Sequence, residues 1–304
     1  MHAVETHNLT RTFGATRAVD GLSLTVERGE VFGLVGPDGA GKTTTMRLLT
    51  GILDPTSGEA FVLGHHTVRD AEAIHDSTGY MAQRFGLYPD LTVEENIHFY
   101  ADLYGVPRRG RETKMKELLD FSDMTRFRTR QAHNLSGGMK QKLGLACALI
   151  HAPEVLFLDE PTNGVDPVSR RDFWRIIYHL VRTENVTVVV STAYLDEAER
   201  CSRVALLHQG KLVALDTPAG IKSLLPGTLL EIRAGDTRHA AAKLRARLQG
   251  ESIVTFGDRI HLLTMNAEAA RAAIREALGD DLESIDVIEP SLENVFVSML
   301  KESA

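Results

Sequence analysis

An α/β fold built on a parallel sheet, followed by a smaller α+β domain, is predicted by three features of the 304-residue chain. The stretch "EVFGLVGPDGAGKTTTMRLLTG" runs from an apolar strand (Val31, Phe32, Leu34, Val35) through glycines into a helix that stops at Gly51. "EVLFLDEP" sets four consecutive apolar residues, Val155 to Leu158, before Asp159 and Glu160, as expected of a strand buried on both faces of a parallel sheet. Beyond Pro226-Gly227 short strands and helices follow in the order β-α-β-β-α-β, which suggests a ferredoxin-like module. A composition of 43% hydrophobic and 25% charged residues suits one large domain and one small one.

The net charge of -7 argues against a basic nucleic-acid surface, and no nucleic-acid partner is expected. Cys147 and Cys201 are the only cysteines, which reads as two idle thiols in a reducing compartment. No apolar run reaches the ~20 residues that span a bilayer, and "MHAVETHNLT" lacks the layout of a signal peptide. The expectation is a cytoplasmic chain that reaches a membrane only through a partner.

The first strand, loop and helix match G-x-x-x-x-G-K-[ST] from Gly36 to Thr43, in the strand-before, helix-after context that a phosphate-binding P-loop requires. Glycines let backbone N–H groups converge on phosphate oxygens, and the helix N-terminus adds positive potential. Lys42 is placed to reach the terminal phosphates and Thr43 to ligate Mg²⁺. Val155 to Leu158 should end at the carboxyl edge of the same sheet, beside that loop. Asp159 can then hold Mg²⁺ through its water shell, while Glu160 orients or deprotonates an attacking water. Without the P-loop upstream, the same acidic pair would read as a solvated turn.

Just before that strand stands "LSGGMKQKLGLACALI", and with Leu135-Ser136-Gly137-Gly138 the chain resembles the ATP-binding subunits of ABC transporters over residues 1 to about 220. The resemblance implies a P-loop NTPase cassette: a RecA-like core, an antiparallel β subdomain, and a helical subdomain at about 88–134. It implies ATP and Mg²⁺ as cofactors, and a homodimer or heterodimer of cassettes in which Ser136, Gly137 and Gly138 meet the nucleotide held by the other copy. Gly36, Pro37, Asp38, Gly39, Ala40, Gly41, Lys42, Thr43 and Thr44 are the expected ATP-binding residues. Phe13 stands where the family stacks an aromatic on adenine, although an ordinary core phenylalanine is the other reading. Gln83 matches the glutamine that touches Mg²⁺ and water and links the site to the membrane partner. Asp166 matches the aspartate at the dimer seam, and Asp166-Pro167 also reads as a helix N-cap with proline at the first helical position.

Between Gln83 and the signature, Thr92 with Glu95 forms a capping box, and Val93, Ile97 and Tyr100 follow at helical spacing. "GPDGAGKTT", "GYMAQRFGLYPDLT" and "LDEPTNGVDPVSRR" are most similar to subunits that serve ABC-2-type permeases, the drug and polysaccharide exporters. That likeness implies an efflux ATPase at the cytoplasmic face of the membrane. Non-transport ABC ATPases acting on DNA or ribosomes fit less well, because the chain carries neither a long coiled coil nor a second cassette.

One position departs from the family. "VTVVVSTAYLDEAER" has Ala193 after Ser191-Thr192, where the family has a histidine that contacts the γ-phosphate and the catalytic glutamate. Methyl for imidazole removes a donor to the transferring group, which in comparable sites costs ~3 kcal/mol or more. ATP binding is expected to survive better than turnover. An engineered trap, an inherited degenerate site and a nucleotide-binding switch all stay open at this stage.

In the C-terminal part, "TLLEIRA" and "SIDVIE" read as strands, "RHAAAKLRARL" and "AEAARAAIREALG" as helices, and "SIVTFGDRIHLLT" as a hairpin turning at Gly257-Asp258. The last helix carries Leu292, Val295, Phe296 and Met299 at 3.6 spacing, to pack on its own sheet or on a partner. The domains expected are 1–220, the ATP-binding domain, and 221–304, an accessory domain.

Overall fold

A computed structural model of the chain describes residues 2–83 and 86–302. Arg84 and Phe85, within the exporter-like stretch "GYMAQRFGLYPDLT", lie outside the described residues. The chain divides into two compact units, Met1–Thr217 and Pro218–Ala304.

The first unit has two sheets. The smaller is antiparallel, in the order β2-β1-β4-β5, from β1 (Val4–Phe13), β2 (Thr16–Val26), β4 (Ser57–Val62) and β5 (His65–His66). The larger has the order β10-β9-β3-β8-β7-β6, from β3 (Val31–Val35), β6 (Thr78–Met81), β7 (Val155–Asp159), β8 (Thr187–Thr192), β9 (Arg203–His208) and β10 (Lys211–Asp216). Five of its strands run parallel, and β10 closes the edge as an antiparallel hairpin with β9. Every residue of β3, β7 and β8 is buried, which is why these strands read as unbroken apolar runs instead of alternating. Phe32, Leu34, Phe157 and Val189 of this sheet share one core with Leu9, Leu22 and Val62 of the smaller sheet and Met46 and Leu48 of helix α1 (Lys42–Leu49).

Register places the chemistry. Val35 lies opposite Thr192, Asp159 opposite Ser191, and Met81 opposite Leu158, so the four strands end within two residues of one another. The residues just beyond those ends, Gly36, Gln83, Glu160 and Ala193, therefore leave the sheet along one carboxyl edge.

Helices α2 (Ala71–Ser77), α3 (Val93–Leu103), α4 (Arg108–Phe121), α5 (Gly137–Leu149), α6 (Pro167–Glu184) and the short α7 (Leu195–Ala198) complete the unit. The capping box is present: Glu95 donates its backbone N–H to the Thr92 hydroxyl, and the Glu95 carboxylate accepts from the Thr92 N–H. Val93 and Ile97 are buried on the same helix. Buried Asn96 fastens the preceding loop, accepting from the Tyr88 N–H and donating to the carbonyls of Tyr88, Leu91 and Thr92.

The second unit opens with α8 (Pro218–Ser223) and continues with β11 (Thr228–Ala234), α9 (Thr237–Arg247), β12 (Ser252–Phe256), β13 (Arg259–Thr264), α10 (Ala267–Leu278), β14 (Leu282–Ile288) and α11 (Leu292–Glu302). Its antiparallel sheet has the order β12-β13-β11-β14, the βαββαβ arrangement of a ferredoxin-like module. Leu230, Ile232, Ile260 and Leu262 pack with Leu244 of α9 and Ile274 of α10 in a core of their own. On α11, Leu292 and Val295 are 1% exposed, and Asn294 hydrogen-bonds His261 of β13 at 2.9 Å. The helix thus lies against its own sheet.

Candidate functional site

The loop from Gly36 to Gly41 rises off β3 and turns into α1, and its shape depends on missing side chains. Gly39 and Gly41 take φ of +79° and +100°, which suits glycine alone. A Cβ on Gly41 would sit 2.2 Å from the Ala18 carbonyl oxygen, and one on Gly36 2.2 Å from that of Leu207. Nothing lies within 4 Å of where a Gly39 Cβ would stand, so this part of the loop faces open space that a phosphate chain can enter.

A cavity of about 620 Å³ lies over the loop, lined by Asp38 to Thr44, Gln83 and Glu160 together with Thr16, Arg17 and Ala18 of β2 and Gln209 of the β9-β10 turn. The Lys42 ammonium is buried in it and donates to the carbonyl oxygens of Gly36 (2.8 Å) and Pro37 (3.1 Å). It also pairs with Glu160 at 3.1 Å, the two side chains being 4% and 9% exposed. Gln83 donates its amide to Glu160 at 2.8 Å, and Asn163 does so at 3.3 Å. Glu160 has φ +49°, a left-handed backbone on a non-glycine residue, held by its N–H donating to the Ser191 hydroxyl at 2.9 Å.

Asp159 is 1% exposed and accepts from Thr43 at 3.1 Å and from Ser191 at 2.6 Å. The Tyr80 hydroxyl donates to its other oxygen at 3.5 Å, and burial, with the Asp159 charge, raises the Tyr80 pKa. Thr43 and Asp159 thus form a pair of hard oxygen donors at the helix N-terminus. Such a set fits Mg²⁺, which takes few protein ligands and completes its shell with water and phosphate oxygens. Among the described residues no group of three or more His, Cys, Asp or Glu could cage a metal unaided.

Ala193 follows Thr192 at the end of β8 and is exposed. The Gly36 N–H donates to the Thr192 carbonyl at 3.3 Å, which puts Ala193 one residue from the start of the glycine loop. Its neighbour Tyr194 reaches Asn163 at 3.4 Å, so a side chain of this loop meets Glu160 through one intermediate. Beneath lies Glu197, whose fully buried carboxylate accepts from Thr162 and from Thr192 (2.9 Å) and meets Arg170 at 3.4 Å.

Phe13 ends β1 and is 47% exposed with the Arg11 guanidinium 4.7 Å above its ring, which rules out a core role. It does not line the cavity, whereas Thr16 to Ala18, just past the same turn, do. Ser136 caps α5, accepting from the Met139 N–H at 3.3 Å. Ser136 and Gly137 are exposed, while Gly138 is buried against Ser169 of α6. None of the three lines the cavity of its own chain. Asp166 is the N-cap of α6, accepting from Val168 (3.1 Å) and Ser169 (3.0 Å), bonds that hold its carboxyl below the usual range.

The residues absent from the sequence reading are Thr16, Arg17, Ala18, Gln209, Tyr80 and Asn163, with the buried support of Ser191 and Glu197. Position in or beside a recognised motif marks Tyr80, Asn163 and Ser191; Glu197 lies on α7, and Thr16 to Ala18 and Gln209 arrive through strand topology.

Comparison with known proteins agrees with this geometry. A family description for ABC transporters matches residues 19–163. The chain is 41% identical over 93% of its length to the probable multidrug ABC transporter ATP-binding protein YbhF of Escherichia coli, and spans about half (49%) of that relative. It is 34% identical to the daunorubicin resistance ATP-binding protein DrrA2 of Streptomyces coeruleorubidus, over 98% of this chain and 95% of the relative. Among solved structures, the ATP-binding subunit of an ABC transporter superposes with a TM-score of 0.66 at 28% identity, over 73% of this chain and 92% of that one. A cassette described as a dimeric post-hydrolysis state bound to ADP and Pi gives a TM-score of 0.64 at 25% identity, over 70% of this chain and 98% of that one. With a relative matched along nearly its whole length and the glycine loop, acidic pair and cap serine in place, the chain belongs to the ABC transporter ATP-binding proteins.

Proposed function

We propose that this chain is the ATP-hydrolysing subunit of an exporter, working at the cytoplasmic face of a membrane through a separate ABC-2-type permease. The observation that carries the reading is the convergence of Lys42, Gln83 and Asn163 on the Glu160 carboxylate at the mouth of the glycine-loop cavity. The export direction draws on the relatives named for multidrug, daunorubicin and bacitracin transport or resistance.

In this reading the glycine loop and Lys42 hold the phosphates, Thr43 and Asp159 would hold Mg²⁺, and Gln83 would touch both metal and water. The metal would neutralise charge on the phosphates. An incoming terminal phosphate competes with Glu160 for the Lys42 ammonium, leaving the carboxylate to accept a proton from water. The exposed Ser136, Gly137 and Asp166 serve a second cassette, identical or not, that closes over the nucleotide. Phe13 would stack on the adenine from the rim. Residues 1–217 form the motor and 218–304 an accessory domain.

Ala193 sets the rate. With a methyl group where the family has an imidazole, Glu160 keeps its partners but the transferring phosphoryl group loses a donor. Steady-state Mg-ATP hydrolysis tests both parts. Glu160→Gln is expected to bind ATP and lose turnover by at least about 10²-fold. Ala193→His is expected to raise turnover by roughly 10²-fold with little change in ATP affinity. Turnover that ignores both substitutions would remove Glu160 and Ala193 from the reaction. Co-purification with an ABC-2-type permease from membranes tests the partner, and its absence there would sink the export reading.

A further inference from the structure

The α6 helix carries a second feature that the ATP site does not use. Arg171, Arg175, Tyr178 and Arg182 follow at intervals of four, three and four, which lines them along one stripe of the helix. With Arg200, which lies beyond α7, they enclose a groove of about 420 Å³ that Trp174 also lines. Four arginines thus line one concavity in a chain whose net charge is -7.

A row of arginines is ordinarily a solvated face balanced by carboxylates. Here the balance is poor. Among the described residues Arg175 has two long pairings, with Asp123 at 3.5 Å and Asp172 at 3.7 Å. Arg171 and Arg182 form no ion pair among the described residues, and the Arg200 guanidinium stands 6.0 Å from the Trp174 ring. Trp174 also carries an orphan donor beneath the groove surface. Trp174 is 2% exposed, and its indole Nε1 is buried without a hydrogen-bond partner. Buried donors are rarely left so.

We propose that this groove is a binding site for a phosphate-bearing anion, separate from the glycine loop. Guanidinium forks match phosphate oxygens two at a time, and a phosphate monoester carries nearly two charges at neutral pH, so several arginines can share one such group. A soluble phosphate compound and an anionic lipid headgroup present the same chemistry, and the experiment separates them. The site stands on the groove alone and does not depend on the ATPase reading.

Trp174 is the only tryptophan of the chain, so its fluorescence reports on this groove and no other. The full chain, kept saturated with Mg-ADP so that the glycine loop is filled, is titrated with inorganic pyrophosphate, then with phosphatidylglycerol vesicles, with phosphatidylcholine vesicles as blank. A saturable change with pyrophosphate assigns a soluble ligand; a change with phosphatidylglycerol alone assigns a headgroup. In Arg171→Gln/Arg182→Gln the midpoint is expected to rise by roughly tenfold or more, with ADP affinity unchanged. Arg171→Lys, which keeps charge and loses the fork, should weaken binding as well. No change with either probe, or a change that survives the double substitution, overturns the proposal.

Discussion

At the scale of single residues, Glu197 shows how the site is held together from below. Its carboxylate is fully buried, yet it accepts from Thr162 in the loop after Glu160 and from Thr192 just before Ala193, and it meets Arg170 of α6. One side chain therefore joins the loop after Glu160 to the loop that carries Ala193. Glu197→Ala leaves two hydroxyls without their acceptor, and the midpoint of urea unfolding should report a loss of about 2 kcal/mol. Unchanged stability would mean that water replaces the carboxylate at no cost. Glu197 went unseen in the sequence because "LDEAER" reads as a solvated acidic helix start. Lys42, Thr43, Asp159 and Glu160 were legible for the opposite reason: their order and their flanking strands and helix are enough to place them. Phe13 stands between the two, legible by position while its exposure was not.

Elements explain why a site spread over so many segments is one site. Parallel strands that end within two residues of one another deliver Gly36, Gln83, Glu160 and Ala193 to a single edge, and the unbroken apolar runs of β3, β7 and β8 made that edge readable in advance. Arg17 and Gln209 could not be read this way, because Arg17 lies at the start of β2 in the smaller sheet and Gln209 in the β9-β10 turn, and only the packing of these segments brings them over the loop. Between α5 and α6 the spacing depends on Gly138, whose Cβ would lie 2.5 Å from the Ser169 hydroxyl and 2.6 Å from its Cβ. Gly138→Val should therefore cost about 1–3 kcal/mol in urea unfolding, as overpacking does. A neutral result would show that the two helices can part freely.

The start of α6 adds a pH effect with a definite sign. Hydrogen bonds from Ser169 and Val168 depress the Asp166 pKa in the folded chain, so its contribution to stability is fully present above the unfolded value of about 3.9. That contribution fades as pH falls through the folded value. Asp166→Asn keeps the cap and removes the charge, so its unfolding midpoint should fall less than that of the unaltered chain between about pH 5 and about pH 3, the window around the unfolded aspartate value. Parallel curves for the two proteins would mean that the cap does not sense protonation.

For the whole molecule, the decisive fact is that hydrophobic burial is divided. Residues Pro218–Ala304 enclose their own core of Leu230, Ile232, Leu244, Ile260, Leu262 and Ile274, and α11 covers the second face of that sheet with Leu292 and Val295. That face is polar for an interior. Glu231, 7% exposed, pairs with Arg259 at 2.9 Å and Arg233 at 3.3 Å, and against the cost of burial these arginines hold its carboxyl below the usual range. The glycine-loop cavity, by contrast, is lined entirely by residues of Met1–Thr217. A core that closes within one unit needs no contribution from the other to offset the entropy of ordering it. Two fragments, 1–217 and 218–304, are thus each expected to unfold cooperatively, the first binding ATP within a few-fold of the full chain, of order 1 kcal/mol. Far-UV circular dichroism under urea and nucleotide titration read the two outcomes separately. If 218–304 is unfolded alone, its core requires the cassette; if 1–217 folds but loses ATP, the glycine-loop site depends on the C-terminal unit, and that unit is part of the motor.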